Sequence, residues 1–235
     1  MAQKPQWLTD AIDDLVSSRR PQWLVDAVED QNAIVEEDPD LMAAHQNKAE
    51  GGFQEQLAAT IRKHESGRFG YDAWFGKGTS RGPVSPPKAP TKMTVDEILL
   101  WQNTHNPEGP ETTAIGAYQI VDQPNARTLS GLKRTMGLTG DELFTPELQD
   151  RMAEQLMKRR GLDSFLTGGI DGETFANRIA REWASLPVLK EDSRRGRKIA
   201  VGRSYYAGDG INKSFRGTKA FEEYRELYAL ADIGE

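Results

Sequence analysis

Helix start and stop signals recur from Gly51 almost to the C-terminal stretch, and they constrain this chain to a mostly helical fold. Phe53, Leu57, Ala58 and Ile61 fall at helical spacing in a segment that should end near Gly67. Thr94-Val95-Asp96-Glu97 has the form of a capping box and opens a segment carrying Ile98, Leu99 and Trp101. Thr145-Pro146 starts another, which runs through Leu148, Met152, Leu156 and Met157 to Gly161. Asp171 can cap a helix bearing Phe175, Ile179 and Trp183 that Pro187 stops, and Thr218 precedes a last one with Phe221, Tyr224, Leu227 and Tyr228. Between Gly76 and Pro90, ten of fifteen residues are Gly, Pro, Ser or Thr, which predicts a hairpin or flap inserted between helices. The expected class is α+β, predominantly α-helical, with any sheet small.

Such a domain must hold itself together by packing alone, because none of the 235 residues is cysteine. That absence removes disulfides, thiolate-bound zinc, iron–sulfur clusters and a cysteine nucleophile. No apolar run approaches the ~18 residues of a membrane span. Met1 to Trp7 are soon followed by Asp10, Asp13 and Asp14, which predicts no classical secretion signal. Charge is uneven along the chain: residues 1–56 carry 4 Lys+Arg against 12 Asp+Glu, whereas the remainder has a slight basic excess. A nearly neutral domain lacks the concentrated cationic face of a duplex-DNA binder, so no nucleic-acid partner is expected.

The acidic front contains a local duplication, in which Pro5-Gln6-Trp7-Leu8 and Asp10-Ala11 recur sixteen residues later as Pro21-Gln22-Trp23-Leu24 and Asp26-Ala27. Each copy places its tryptophan and aliphatic residues on one side of a short helix and its acids on the other. These pegs either fold back on the main domain or dock Trp7 and Trp23 into a partner, for which a phage structural protein is the candidate. Residues 1–50 are accordingly read as an acidic helical docking or linker segment, with Glu36-Glu37-Asp38-Pro39-Asp40 as linker, and residues 51–235 as the main domain.

Several familiar motifs fail. His64-Glu65 lacks the second histidine of a zincin, since Arg68 stands at its place. Three scattered histidines without cysteine support no metal site, and no cofactor is expected. The glycines from Gly70 to Gly78 have the wrong spacing for a phosphate loop, and no G-x-S-x-G elbow occurs. Glu65 remains. With Phe53 at zero on a wheel of ~100° per residue, Leu57 lies near 40°, Ile61 near 80° and Glu65 near 120°, on the apolar side, while Arg62 and Lys63 point away. Hydrophobic neighbours would desolvate its carboxylate and raise its pKa toward that of a general acid; the alternative is a helix-end glutamate that reaches solvent or pairs with Arg68.

Four blocks in order bear on that choice: Glu65-Ser66-Gly67, Gly70-Tyr71-Asp72, Gly116-Ala117-Tyr118-Gln119-Ile120, and Trp183-Ala184-Ser185-Leu186-Pro187. Together they resemble the successive blocks of the bacteriophage lambda-type endolysins, within the lysozyme and lytic-transglycosylase superfamily. The resemblance implies a lysozyme-like domain in which Glu65 is the single indispensable acid/base residue, acting on the β-1,4 bond between N-acetylmuramic acid and N-acetylglucosamine of peptidoglycan glycan strands. It further implies that the muramoyl 6-hydroxyl can be the attacking group. A hydrolytic lysozyme would instead need a second carboxylate, for which Asp72, Glu111 and Asp122 stand near matched blocks and Asp72 is nearest. An aspartate in a G-Y-D turn more often bonds backbone than attacks a sugar.

By the same resemblance Tyr118 and Gln119 line the sugar cleft, and Ser66 either hydrogen-bonds Glu65 or caps the helix. Tyr205, Tyr206 and Asn212, in a glycine-framed loop, are candidates for a glycan floor. Trp183 reads better as core. The expected protein is a phage muramidase held in the virion or in the host cytoplasm before release and acting on the periplasmic wall. The rivals are a virion or tail structural protein that keeps the fold as a wall-binding module, and a chitinase-like glycosidase.

Overall fold

The computed structural model describes residues 39–75, 85–104, 113–123, 126–207 and 218–231, with side chains described from Gly52 onward in these stretches except at 218, 230 and 231. Two compact units divide the chain, Met1–His45 and Gln46–Glu235, and the core belongs to the second. Trp7, Trp23, Glu111 and Asn212, the duplicated pegs and the stretch 76–84 lie outside the described residues.

Seven helices are described: α1 (Pro39–Glu65), α2 (Val95–Thr104), α3 (Thr128–Thr135), α4 (Pro146–Arg160), α5 (Leu162–Leu166), α6 (Gly172–Ala180) and α7 (Thr218–Ala231). Strands are short: β1 (Asp122–Gln123) pairs antiparallel with β2 (Ala126–Arg127), and β3 (Asp192–Arg194) with β4 (Arg197–Ile199). The class is α+β and predominantly helical. No helix of the described residues is long and apolar enough to cross a membrane.

The caps read from the sequence are formed. Thr94 N donates to Glu97 Oε2 at 2.8 Å, and Glu97 N to Thr94 Oγ1 at 3.2 Å, a reciprocal capping box at the start of α2. Thr145 Oγ1 accepts from Leu148 N at the start of α4, whose end is turned by Gly161 at φ 104°, a conformation that glycine adopts without steric penalty. Asp171 accepts from Thr174 N and begins α6.

Two boundaries differ from expectation. Helix α1 starts at Pro39, absorbing the end of the supposed linker. Proline suits a first helical turn, and Gly51 and Gly52 each cost only about 1 kcal/mol within a helix otherwise rich in good formers. Helix α6 ends at Ala180, before Trp183, and the chain reaches Pro187 through turns, in keeping with the bias of a pre-proline residue away from helix. The described strand residues lie at 122–123, 126–127, 192–194 and 197–199, and Arg195 at φ 51° and Gly196 at φ 77° make the two-residue turn between β3 and β4.

The core draws on every helix from α1 to α7. Phe53, Leu57 and Ile61 are buried on one side of α1. The Phe53 ring lies 5.1 Å from Phe165 of α5 and 5.6 Å from Tyr228 of α7, and Phe165 stacks on Phe175 of α6 at 4.9 Å. This aromatic cluster anchors α1, the helix that ends in Glu65.

Candidate active site

Glu65 is the last residue of α1, and the chain then tightens into the 3₁₀ turns of Gly67–Asp72. Its Oε1 accepts two hydrogen bonds from Ser185, one from the backbone N–H at 3.1 Å and one from the hydroxyl at 2.6 Å. The residue is neither sealed in nor free. Desolvation is nonetheless the largest influence on its carboxyl and holds the pKa above the ordinary range, against the two Ser185 hydrogen bonds, which pull the other way. With both Ser185 donors on Oε1, the acidic proton belongs on Oε2.

The loop that supplies the tyrosine–glutamine block is built by close approach. Ile115 and Ile120 exchange backbone hydrogen bonds at 3.0 and 2.9 Å across the turn Gly116–Gln119. A Cβ on Gly116 would lie 2.4 Å from Gln149 Oε1 and 2.7 Å from the Phe144 ring, so only glycine fits there. Gln149 is fully buried on α4; its Oε1 accepts from Ala117 N, and its Nε2 donates to the carbonyls of Tyr71 and Phe144. One amide thus ties the turn to the segment after Glu65. Gln119 adopts φ 48°, an uncommon conformation for a residue with a side chain and one that clusters at functional sites. Its Nε2 donates to the Gly116 carbonyl at 2.9 Å.

The remaining sequence candidates are placed as follows. Ser66 is buried, and its hydroxyl donates to the Arg62 carbonyl at 2.8 Å, closing the helix end. Tyr118 is 1% exposed; its hydroxyl donates to Asp150 at 2.5 Å and accepts from Arg62 at 2.7 Å, and burial pushes its pKa far up. Arg62 therefore does not point away, as the helical wheel suggests, because Asp150 of α4 attracts it inward at 3.2 Å. Tyr205 is also buried, with its hydroxyl on Asp192, and offers no ring face to a sugar. Tyr206 is half-buried and donates to the Arg181 carbonyl at 2.9 Å. Asp72 accepts from Thr91 N at 2.9 Å, a backbone partner of the kind expected, though in a different segment. Asp122 is buried and takes hydrogen bonds from Ser130 N and Oγ. Trp183 is buried, its Nε1 donating to the Tyr118 carbonyl, which joins the third of the four sequence blocks to the fourth.

A family model described as Endolysin matches residues 100–211. The match supports an endolysin. The matched stretch holds the Gly116–Ile120 turn, Gln149, Trp183 and Ser185, that is, the residues that form and brace the site, while Glu65 precedes it. An endolysin is a phage enzyme that degrades the bacterial cell wall, so peptidoglycan is the substrate class that this match implies. No curated protein and no solved structure matches the chain.

The functional residues that sequence reasoning missed are Ser185 and Gln149. Ser185 stands in the fourth of the sequence blocks, but nothing in linear spacing points from it to Glu65 across 120 residues. Gln149 had one available signal, a polar residue within the apolar stripe of a capped helix.

Proposed function

We propose that this protein cuts the β-1,4 bond between N-acetylmuramic acid and N-acetylglucosamine as a lytic transglycosylase, with Glu65 as its one acid/base group. The observation that carries the reading is the Glu65 carboxyl, desolvated and pinned through Oε1 by Ser185, a residue inside the Endolysin match. Protonated Glu65 gives its Oε2 proton to the glycosidic oxygen as the bond to the anomeric carbon breaks. The resulting carboxylate takes the proton of the muramoyl 6-hydroxyl while that oxygen bonds to the anomeric carbon, closing a 1,6-anhydro ring. The acid is thereby regenerated without water. Asp72 and Asp122 are already engaged with backbone N–H groups, which favours a mechanism that requires no second carboxylate.

Mass spectrometry of the muropeptides released from sacculi tests the proposal. Anhydro ends from the wild type and none from Glu65→Gln are expected. Reducing ends would replace transglycosylation by hydrolysis, and undiminished release by the variant would overturn the assignment of Glu65.

A further inference from the structure

A cavity of about 270 Å³ opens beside the tyrosine–glutamine turn, with Gln119, Trp183 and Tyr206 among its walls. Three arginines also face it, Arg159 and Arg160 from the end of α4 and Arg181 from the end of α6, together with one acid, Glu182. Glu182, whose side chain is only 8% exposed, holds two guanidinium groups at once. Arg159 Nη2 donates to Oε1 at 2.9 Å and to Oε2 at 2.8 Å, and Arg160 reaches Oε2 through Nε at 2.8 Å and Nη2 at 2.6 Å. One carboxylate cannot neutralise two cations, so the pair is fixed in place with positive charge left over. Arg181 is braced by Asp192 at 2.8 Å and lies 5.2 Å from the centre of the Tyr205 ring. Each guanidinium has five N–H donors, and those not spent on these braces remain for a ligand. A braced, cation-rich recess of this size suits one carboxylate-bearing side chain, taken in the forked geometry that arginine favours.

Position relates the recess to the acid. Trp183, in its wall, precedes Ser185 by two residues, at most about 7 Å of chain, and Ser185 holds Glu65. A polymer that reaches Glu65 can therefore present an anion to this recess as well. In peptidoglycan the stem peptide hangs from the muramoyl sugar and carries free carboxylates. The geometry points to the Arg159/Arg160/Arg181 cavity as a subsite for a stem-peptide carboxylate, an inference that rests on the peptidoglycan reading above.

Titration of the full chain with L-alanyl-γ-D-glutamyl-diaminopimelyl-D-alanine, and with the same peptide amidated at its glutamyl α-carboxylate, supplies the direct test. Arg159→Gln leaves Glu182 paired with Arg160 and so preserves the fold; Arg181→Gln probes the other wall. Each substitution is expected to weaken binding of the unamidated peptide by about tenfold or more. Equal affinity of wild type and Arg159→Gln, or no saturable binding by the wild type, overturns the subsite. In parallel, the ratio of cleavage rates on peptide-bearing and amidase-stripped glycan strands should fall by a similar factor in both variants, and an unchanged ratio also overturns it. Tight binding of the amidated peptide would move the site from that carboxylate to another anion of the stem. A wild type that cuts neither strand refutes the muramidase reading, and the peptide titration still decides the subsite on its own.

Discussion

Ser185 directs both its backbone N–H and its hydroxyl at one oxygen of Glu65, joining residues 120 positions apart at the end of the longest described helix. Those two bonds stabilise the carboxylate, while desolvation destabilises it more strongly. Glu65 is therefore poised between two opposing influences, and altering either has a readable consequence.

Replacing Glu65 by glutamine removes the transferable proton and keeps the shape. Cell-wall clearing should fall by about 10²- to 10⁴-fold, the usual contribution of a positioned acid or base. Stability should move the opposite way. A carboxyl whose folded pKa is raised binds more protons when folded than unfolded, so the wild type loses stability as pH rises from 4.5 through the folded value. Thermal melts should therefore show Glu65→Gln melting above the wild type near neutrality, by about 2–4 °C for each kcal/mol recovered. The gap should close below pH 4.5, and a lower melting temperature at neutral pH would contradict the claim that this side chain is desolvated.

Removing the Ser185 hydroxyl leaves the backbone donor but takes away the shorter of the two bonds. That bond lowers the Glu65 pKa, so Ser185→Ala raises it further. In the proposed mechanism the protonated acid is the active form, so the alkaline limb of the pH–rate profile should shift to higher pH, with a smaller loss at the optimum than Glu65→Gln produces. A profile that keeps its shape would make Ser185 a purely structural residue.

Gln149→Met tests the brace behind the turn. The thioether fills similar space but leaves Ala117 N and the carbonyls of Tyr71 and Phe144 without their buried partner. With about 1–3 kcal/mol for each orphaned group, and some relaxation, a destabilisation of roughly 3 kcal/mol is expected in denaturant titrations. Gly116→Ala collides with the same amide, so the double variant should fall short of the summed losses.

Local signals were the most legible. Thr94, Thr145, Asp171 and Gly161 act within three or four residues of chain, and each does at its helix end what its side chain, or its lack of one, dictates. The apolar setting of Glu65 was also visible, since Phe53, Leu57 and Ile61 share its side of α1. Burial beyond a single helix was not. Tyr118 and Tyr205 have the composition of a sugar platform, yet Asp150 and Asp192 draw their hydroxyls inward, and no local pattern announces such long-range partners. Arg159 and Arg160 look like ordinary helix-end cations until Glu182, 22 residues onward, is seen to clamp both.

Glu142 provides the opposite linkage to Glu65 in the same protein. Thr139 N and Gly140 N donate to its two oxygens at 2.9 and 2.8 Å, and these backbone bonds hold its pKa at about 2, down from 4.5. A depressed folded pKa contributes stability that is fully present above 4.5 and is lost as pH falls through 2. Glu142→Gln should therefore melt below the wild type at pH 7, with the difference fading across that acid window. The carboxylate is exposed to solvent, so added salt should shrink the gap. Since Glu142 accepts bonds from the loop that leads into α4, an unaltered melt at pH 7 would mean that the loop's backbone donors are equally well served by water.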